Sequence, residues 1–247
     1  MPLVRTNLEA DYAIALTTVG FFIFWFTGKS ERILAKFVER YGAEKGQERF
    51  IYLKRVVGML CFGVIPALVL MTQDFYIKTL PEFFTGTWAD YGVAAKFPPA
   101  LFYWTIGLGA VITFMTSRTA RQPDNLAQYP EIRKLPWSRS TLIWSALTWA
   151  GYLVAYEMLF RGFLLFSCVR AYGEMSAIVI NTAIYALVHL PKGPKESIGA
   201  IPLGALFCYI TLQTETIWVA VLVHLALAWS NEWFSLKYRL LEQRAGL

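Results

Sequence analysis

Seven apolar runs dominate this sequence, and several are long enough to cross the hydrocarbon core of a membrane. A crossing helix needs about 17–25 mostly apolar residues. The runs fall at residues 12–28, 56–72, 98–116, 141–169, 175–190, 198–212 and 217–234. This pattern predicts an all-α, polytopic integral membrane protein, a helix bundle with about seven spans and a possible range of six to eight.

Charged residues are too few for a soluble domain of this size. Only 16% of the 247 residues are Asp, Glu, Lys or Arg, whereas soluble domains have about 25%. The basic residues behind the net charge of +6 lie between the apolar runs and form no continuous patch, so nucleic acid is not expected as a partner. We expect a single membrane domain over residues 1–247, surrounded by the lipid bilayer, with a catalytic-like core at residues 140–235.

The basic residues of the loops predict how the chain is oriented. Eight Lys or Arg lie in the first loop (29–55), two in the second (Lys78 and Lys96) and five in the third (117–140). Basic loops tend to stay on the cytoplasmic side. We therefore expect the N-terminus outside, the C-terminus in the cytoplasm, and the inner (cell) membrane of a bacterium as the location. Arg170 is an exception, because this layout places it on the outer side.

Two stretches are predicted to form helices that are not simple crossings. The fourth run is too long for one straight span, so we expect a tilted helix or one that breaks near Gly151 or Tyr156. In the first loop, residues 30–41 (SERILAKFVERY) have apolar residues at helical spacing and charges on the opposite face. This indicates either a helix on the membrane surface or an extension of the first span.

Ionisable residues are rare inside the apolar runs, and because a charge in the membrane is costly they are candidates for function. Glu157 and Arg161 lie four apart in the fourth run and share a helix face. The only two histidines, His189 and His224, lie in the fifth and seventh runs, and Asn231 follows two turns after His224. Three helices would thus bring one polar stripe each to a common site in low-dielectric surroundings.

These residue types predict hydrolysis by an activated water. Two imidazoles and one carboxylate are a common ligand set for a catalytic zinc ion with an open position, which would make His189, His224 and Glu157 the metal ligands. Without a metal, the same groups would hold and deprotonate the water themselves. Two other interpretations stay open: a buried ion pair of Glu157 and Arg161 that only fixes the fourth span, and a proton-coupled transporter.

Three short motifs resemble those of the CAAX prenyl protease and bacteriocin-processing family of intramembrane proteases, also called CPBP or Abi. They are YEMLFRGFLL (156–165), YALVH (185–189) and the stretch that carries His224. The family pattern is a Glu-Glu pair with Arg four after the second Glu, an aromatic residue four before a His, and a His four before an Asn or small residue. Order and spacing match over about a third of the chain.

The resemblance implies an intramembrane endopeptidase, of metallo- or glutamic type, that hydrolyses a peptide bond in a membrane-associated protein or peptide. By this analogy Glu157 or a zinc ion would activate the water, Arg161 would orient Glu157, and Asn231 would help to hold the oxyanion. Two positions depart from the family pattern. Tyr156 replaces the first Glu, usually assigned as the water-activating base, and Ala228 stands where Asn is frequent. Tyr156 favours the alternative, a non-catalytic relative acting as a membrane scaffold, immunity or regulatory protein.

Overall fold

The described part of the chain is mainly helical. The computed structural model describes residues 2–75, 88–93 and 97–245, and no strand is present within these ranges. Lys78 and Lys96 of the second loop lie outside the described residues. The α-helices of the described part are α1 (Pro2–Gly28), α2 (Glu31–Tyr41), α3 (Ala43–Met59), α4 (Ile65–Phe75), α5 (Pro99–Thr119), α6 (Pro123–Gln128), α7 (Arg139–Glu157), α8 (Leu165–Tyr172), α9 (Glu174–Leu187), α10 (Pro194–Thr214) and α11 (Trp218–Ala245).

In the described part of the chain, seven helical segments are long and apolar enough to cross a membrane, which confirms the predicted polytopic all-α bundle. Large apolar side chains cover the outside of these segments, among them Phe22, Ile106 and Ile198. Lipid tails are as apolar as these side chains, so this surface suits a bilayer. The segments are Asn7–Gly28, Ala43–Leu70, Pro99–Thr119, Arg139–Tyr172, Glu174–Lys192, Pro194–Thr214 and Trp218–Ala245.

Two of the spans are interrupted by a π-helical turn, in which backbone hydrogen bonds reach five residues along the chain. The first π-turn (Leu60–Val64) joins α3 to α4, and the second π-turn (Met158–Leu164) joins α7 to α8. The break predicted near Gly151 or Tyr156 therefore lies immediately after Glu157. The interrupted fourth span has 34 residues, about 51 Å at 1.5 Å per residue, and so extends past a hydrocarbon core of about 30 Å.

Gly63 lets the two interrupted spans approach each other closely. It lies in the first π-turn, and a Cβ atom at this position would be 2.9 Å from the Cβ atom of Ala155 on α7. Carbon atoms in contact lie about 3.5–4.0 Å apart, so a larger residue would push the spans apart. The close approach supports α7 two residues before its end at Glu157.

The helix predicted at residues 30–41 forms as α2 and is separate from the first span. Ser30 caps its N-terminus, since the Ser30 side chain accepts the N–H of Ile33 at 3.3 Å. The helix turns back onto α3, where the rings of Phe37 and Phe50 lie 6.4 Å apart. It is therefore not a continuation of α1.

Arg170, the exception to the loop-charge pattern, is paired. Its guanidinium forms an ion pair with Glu9 of the first span. The hydroxyls of Tyr91 and Ser167 donate to the same carboxylate oxygen at 2.6 and 2.9 Å. A basic residue at the end of the bundle opposite the basic loops is thus neutralised within the protein.

A second cluster holds the loop between the third and fourth spans against the bundle. We call Arg55, Glu131 and Glu232 the loop clamp. Arg55 Nη2 donates to Glu131 Oε2 at 3.0 Å and lies 3.5 Å from Glu232 Oε1. The Glu232 carboxylate also accepts the backbone N–H of Glu131 at 3.2 Å. Since Glu232 lies on α11, the clamp ties the loop to the helix that carries His224.

The loop clamp has further support from its neighbours. Arg55 Nη1 donates to the backbone oxygen and hydroxyl of Ser145 at 3.0 and 3.1 Å, and its guanidinium lies 4.3 Å from the ring centre of Trp149. Lys54 Nζ lies 2.7 Å from Glu131 Oε1. Burial alone would raise the pKa of Glu131, but the charges of Lys54 and Arg55 outweigh it and lower this pKa to about 2. Glu131 therefore stays ionised at neutral pH.

Candidate active site

The polar residues of the fourth and seventh spans meet inside the bundle. Glu157 is the last residue of α7, and its Oε1 lies 2.6 Å from Nδ1 of His224 on α11. Glu157 is fully buried, and the side chain of His224 is 14% exposed. Because an ionised carboxylate only accepts hydrogen bonds, Nδ1 of His224 carries the proton. The lone pair of Nε2 is then available as an acceptor.

Arg161 lies on the other side of the same carboxylate. Its Nε is 3.5 Å from Glu157 Oε2, and both residues are fully buried. The guanidinium packs 4.4 Å from the ring centre of Tyr185 and 5.4 Å from that of Phe207. Within the described part of the chain, none of its three nitrogens has a hydrogen-bond partner, and neither has Glu157 Oε2. Charge and aromatic faces, not hydrogen bonds, hold this pair.

His189 joins the cluster through Tyr185. It lies just beyond the end of α9, with Nδ1 2.7 Å from the backbone oxygen of Tyr185. A carbonyl oxygen can only accept, so Nδ1 is again the protonated nitrogen and Nε2 the acceptor. The rings of His189 and Tyr185 lie 4.6 Å apart, and Tyr185 also contacts Arg161. Both histidines therefore carry the proton on Nδ1 and offer Nε2 as an acceptor.

Tyr156 contributes an aromatic ring to the same cluster. The ring lies 5.6 Å from that of His224 and 6.0 Å from that of Tyr185, and it also packs against Phe62 at 5.7 Å. Tyr156 is buried. Its side chain thus contacts two of the helices that supply the polar groups, at the position where the family pattern has a carboxylate.

Asn231 lies away from the other predicted site residues. It lies seven residues after His224, about 10 Å along the helix axis at 1.5 Å per residue. No hydrogen bond, ion pair or ring contact joins it to the other predicted site residues in the described ranges. Its neighbour Glu232 belongs to the loop clamp. The oxyanion role of Asn231 stays a prediction.

The residues predicted to bind zinc do not form a three-ligand set. Among the residues that the structure describes, no group of three or more His, Cys, Asp or Glu is placed to hold a metal ion. Glu157 and His224 are bonded to each other through Oε1 and Nδ1. Nδ1–H bonds to a carboxylate or carbonyl are typical of metal-binding histidines, but a third ligand is needed as well. The zinc ion expected from the sequence stays a prediction.

Asn181 contacts the site although the sequence did not single it out. It is fully buried on α9, and its Nδ2 donates to the backbone oxygen of Phe160 in the second π-turn at 2.5 Å. A signal was present in the spacing, since Asn181, Tyr185 and His189 follow one another at intervals of four residues. The polar stripe of the fifth span is therefore one turn longer than predicted.

The comparisons with known proteins agree with the motifs. Residues 137–230 match the family model described as "Type II CAAX prenyl endopeptidase Rce1-like". No curated protein and no solved structure gives a significant match. The matched stretch contains Glu157, Arg161 and both histidines. The resemblance drawn from the sequence is confirmed: the motif-bearing part of this membrane protein is similar to the CAAX-protease family.

Proposed function

We propose that this chain, with its CAAX-protease-like motif region, is an intramembrane endopeptidase that hydrolyses a peptide bond in a membrane-associated protein or peptide. One contact carries the proposal: the 2.6 Å bond between the buried carboxylate of Glu157 and Nδ1 of His224. A carboxylate on one imidazole nitrogen fixes the tautomer and makes the other nitrogen a better base. This is the requirement for activating a water at neutral pH.

In the proposed reaction, His224 is the general base. Nε2 takes a proton from a water molecule, and the water oxygen attacks the carbonyl carbon of the scissile bond. The imidazolium that forms is stabilised by Glu157, because the attraction between the two charges is strong where water is scarce. His224 then gives the proton to the leaving amine as the C–N bond breaks.

The other cluster residues prepare this step. Arg161 balances the charge of Glu157 from the side of Oε2, 3.5 Å away. His189 offers a second Nε2 acceptor, which would orient the attacking water. In this scheme Glu157 orients and stabilises His224, whereas the family resemblance implied that Glu157 or a zinc ion activates the water.

Tyr156 supports a second candidate function, a non-catalytic relative that binds a membrane peptide as a scaffold, immunity or regulatory protein. Its ring lies 5.6 Å from that of His224 and brings no carboxylate to the cluster. A protein of this kind would keep the peptide-binding site and lack the reaction.

Cleavage of a library of membrane-associated peptides in nanodiscs separates the two functions. We expect the wild-type protein to cleave members of the library and Glu157→Gln and His189→Gln to cleave far more slowly. The exposed residue Glu39 supplies a matched control, since Glu39→Gln makes the same chemical change away from the site. Equal activity in all variants would reject the proposed site.

The Tyr156→Glu variant tests the second candidate. If the wild-type protein retains library peptides without cleaving them and Tyr156→Glu cleaves, the natural chain is a non-catalytic relative. If the wild-type protein cleaves, the non-catalytic function is excluded. Metal analysis of the same samples, with and without a chelator, shows whether a bound metal accompanies the activity.

A further inference from the structure

One backbone oxygen of the second π-turn accepts two hydrogen bonds. The oxygen of Phe160 accepts the N–H of Leu165, five residues along the chain, which the oxygen of Gly162 also accepts. It also accepts Nδ2 of Asn181, which reaches across from α9 at 2.5 Å. In a regular α-helix this oxygen would accept the N–H of Leu164 instead. A carbonyl oxygen has two lone pairs, so the oxygen of Phe160 can accept from Asn181 as well as from Leu165.

The amide of Asn181 is itself held from a third helix. Its Oδ1 lies 3.2 Å from the Sγ atom of Cys208 on α10, which donates its proton. Asn181 and Cys208 are both fully buried. Two hydrogen bonds therefore fix which end of the amide faces Phe160, and the side chain has little freedom to turn.

The second π-turn sets the directions of the Glu157 and Arg161 side chains relative to each other. Glu157 directly precedes the second π-turn, and Arg161 lies within it. A change of register by one residue turns a helical side chain by about 100°. If the turn relaxed to α-helical register, Arg161 and Glu157 would not keep their present placement against Tyr185 and His224.

We infer that Asn181 is a positioning residue: it holds the second π-turn open and so places Glu157 and Arg161 against His224. Its effect on a reaction rate rests on the proposed function, but the placement does not. The two can therefore be tested separately.

NMR signals of the two histidines report whether Glu157 keeps its position against His224. Selective ¹⁵N-histidine labelling of the full chain in detergent micelles yields two imidazole spin systems, which His189→Gln assigns. In the wild-type protein, the Nδ1–H of His224 should show a strong hydrogen bond to a carboxylate. In Asn181→Leu, which keeps the branching of the side chain and removes both hydrogen bonds, we expect this signal to shift or disappear, whereas the His189 signals stay.

Thr214→Ala is the matched control. Its buried hydroxyl also donates to a backbone oxygen, that of Ile210, at 2.7 Å, but in the last turn of α10. We expect both histidine signals to remain as in the wild-type protein. If folded Asn181→Leu also leaves both signals unchanged, Asn181 is merely structural and the inference is overturned.

A second pair of variants covers the case in which Asn181→Leu does not fold. Cys208→Ala removes the donor to Asn181 Oδ1, and Cys208→Ser replaces it with a hydroxyl. We expect a shifted His224 signal in Cys208→Ala and its return in Cys208→Ser. Identical wild-type spectra in both variants would overturn the inference.

Where peptide cleavage is measurable, kcat should fall roughly 10- to 100-fold in Asn181→Leu with little change in KM, because misplacement by about 1 Å costs up to 10²-fold. Absence of any cleavage by the wild-type protein would count against the proposed function and leave the spectroscopic result intact.

Discussion

Two buried clusters of opposite charges in the described part of the protein are built in different ways. In the loop clamp, both terminal nitrogens of Arg55 donate hydrogen bonds, and only its Nε lacks a partner. In the candidate active site, none of the nitrogens of Arg161 has a hydrogen-bond partner in the described part of the chain, and Glu157 keeps one oxygen without one. The two arginines are equally buried.

We interpret this difference as one between a structural cluster and the proposed site. Removing two charges from water is offset only when geometry and hydrogen bonds are good. The loop clamp meets this condition, so its stabilisation of the fold explains its presence. Arg161 and Glu157 have fewer hydrogen bonds to protein groups, as expected if the pair serves the proposed reaction.

The largest expected effect is on the rate of peptide cleavage and follows a change in the candidate active site. His224→Gln removes the proposed base and keeps an amide that can donate to Glu157. We expect cleavage to fall about 10²- to 10⁴-fold, as for the loss of a general base, with the unfolding temperature close to that of the wild-type protein. Peptide cleavage and thermal unfolding in the same detergent check both parts. A stability loss without a rate loss would make the site a second structural cluster.

The next effect is on stability, through the loop clamp. Arg55→Met leaves Glu131 and Glu232 facing each other without their shared cation. We expect the free energy of unfolding to fall by about 3–5 kcal/mol, the usual result of breaking a buried pair. Arg161→Met should cost less, because that guanidinium makes no hydrogen bonds and Glu157 keeps its bond to His224. Equal losses in reversible unfolding would contradict the comparison.

Acid should weaken the loop clamp within a defined pH window. The pKa of Glu131 lies at about 2 in the folded protein, below its ordinary value of 4.5. A lowered pKa stabilises the fold above pH 4.5, and this stabilisation is lost as the pH falls from there to about 2. At 1.36 kcal/mol per pKa unit, it amounts to about 3 kcal/mol. The free energy of unfolding, measured across this window, should change less with pH in Glu131→Gln than in the wild-type protein. The same pH dependence in both proteins would refute the assignment.

The smallest effect tests how redundant the loop clamp is. Ser145→Ala removes a hydroxyl that accepts from Arg55 Nη1 at 3.1 Å. The same nitrogen still donates to the backbone oxygen of residue 145 at 3.0 Å and to Thr148 Oγ1 at 3.1 Å. The hydroxyl also donates to Glu232 Oε1 at 3.5 Å. We therefore expect a loss of about 1–2 kcal/mol, the net value of two hydrogen bonds. A loss as large as that of Arg55→Met would show that the cluster is not redundant.

The sequence predicted the seven spans and, for the fourth one, either a tilt or a break, of which the structure shows the break. It also predicted one site for Glu157, Arg161 and the two histidines; the structure brings Glu157, Arg161 and His224 together and places His189 against Tyr185. These features depend on local patterns, namely apolar length and spacing of three to four residues along a helix. The loop clamp could not be predicted in this way. Glu131 belongs to none of the sequence motifs, and Arg55 was counted only as one of the basic residues of the first loop. Their pairing joins residues 76 positions apart.

Taken alone, the sequence determined that the chain is a membrane helix bundle with three polar stripes, because hydropathy and helical periodicity are properties of contiguous sequence. Only the tertiary structure decided which atoms of these stripes bond to each other. It placed Nδ1 of His224 on Glu157 and an amide of α9 on the second π-turn, and it left Asn231 apart. The physical reason is that hydrogen-bond partners are chosen by distances of about 3 Å between helices, and those distances depend on how the spans pack.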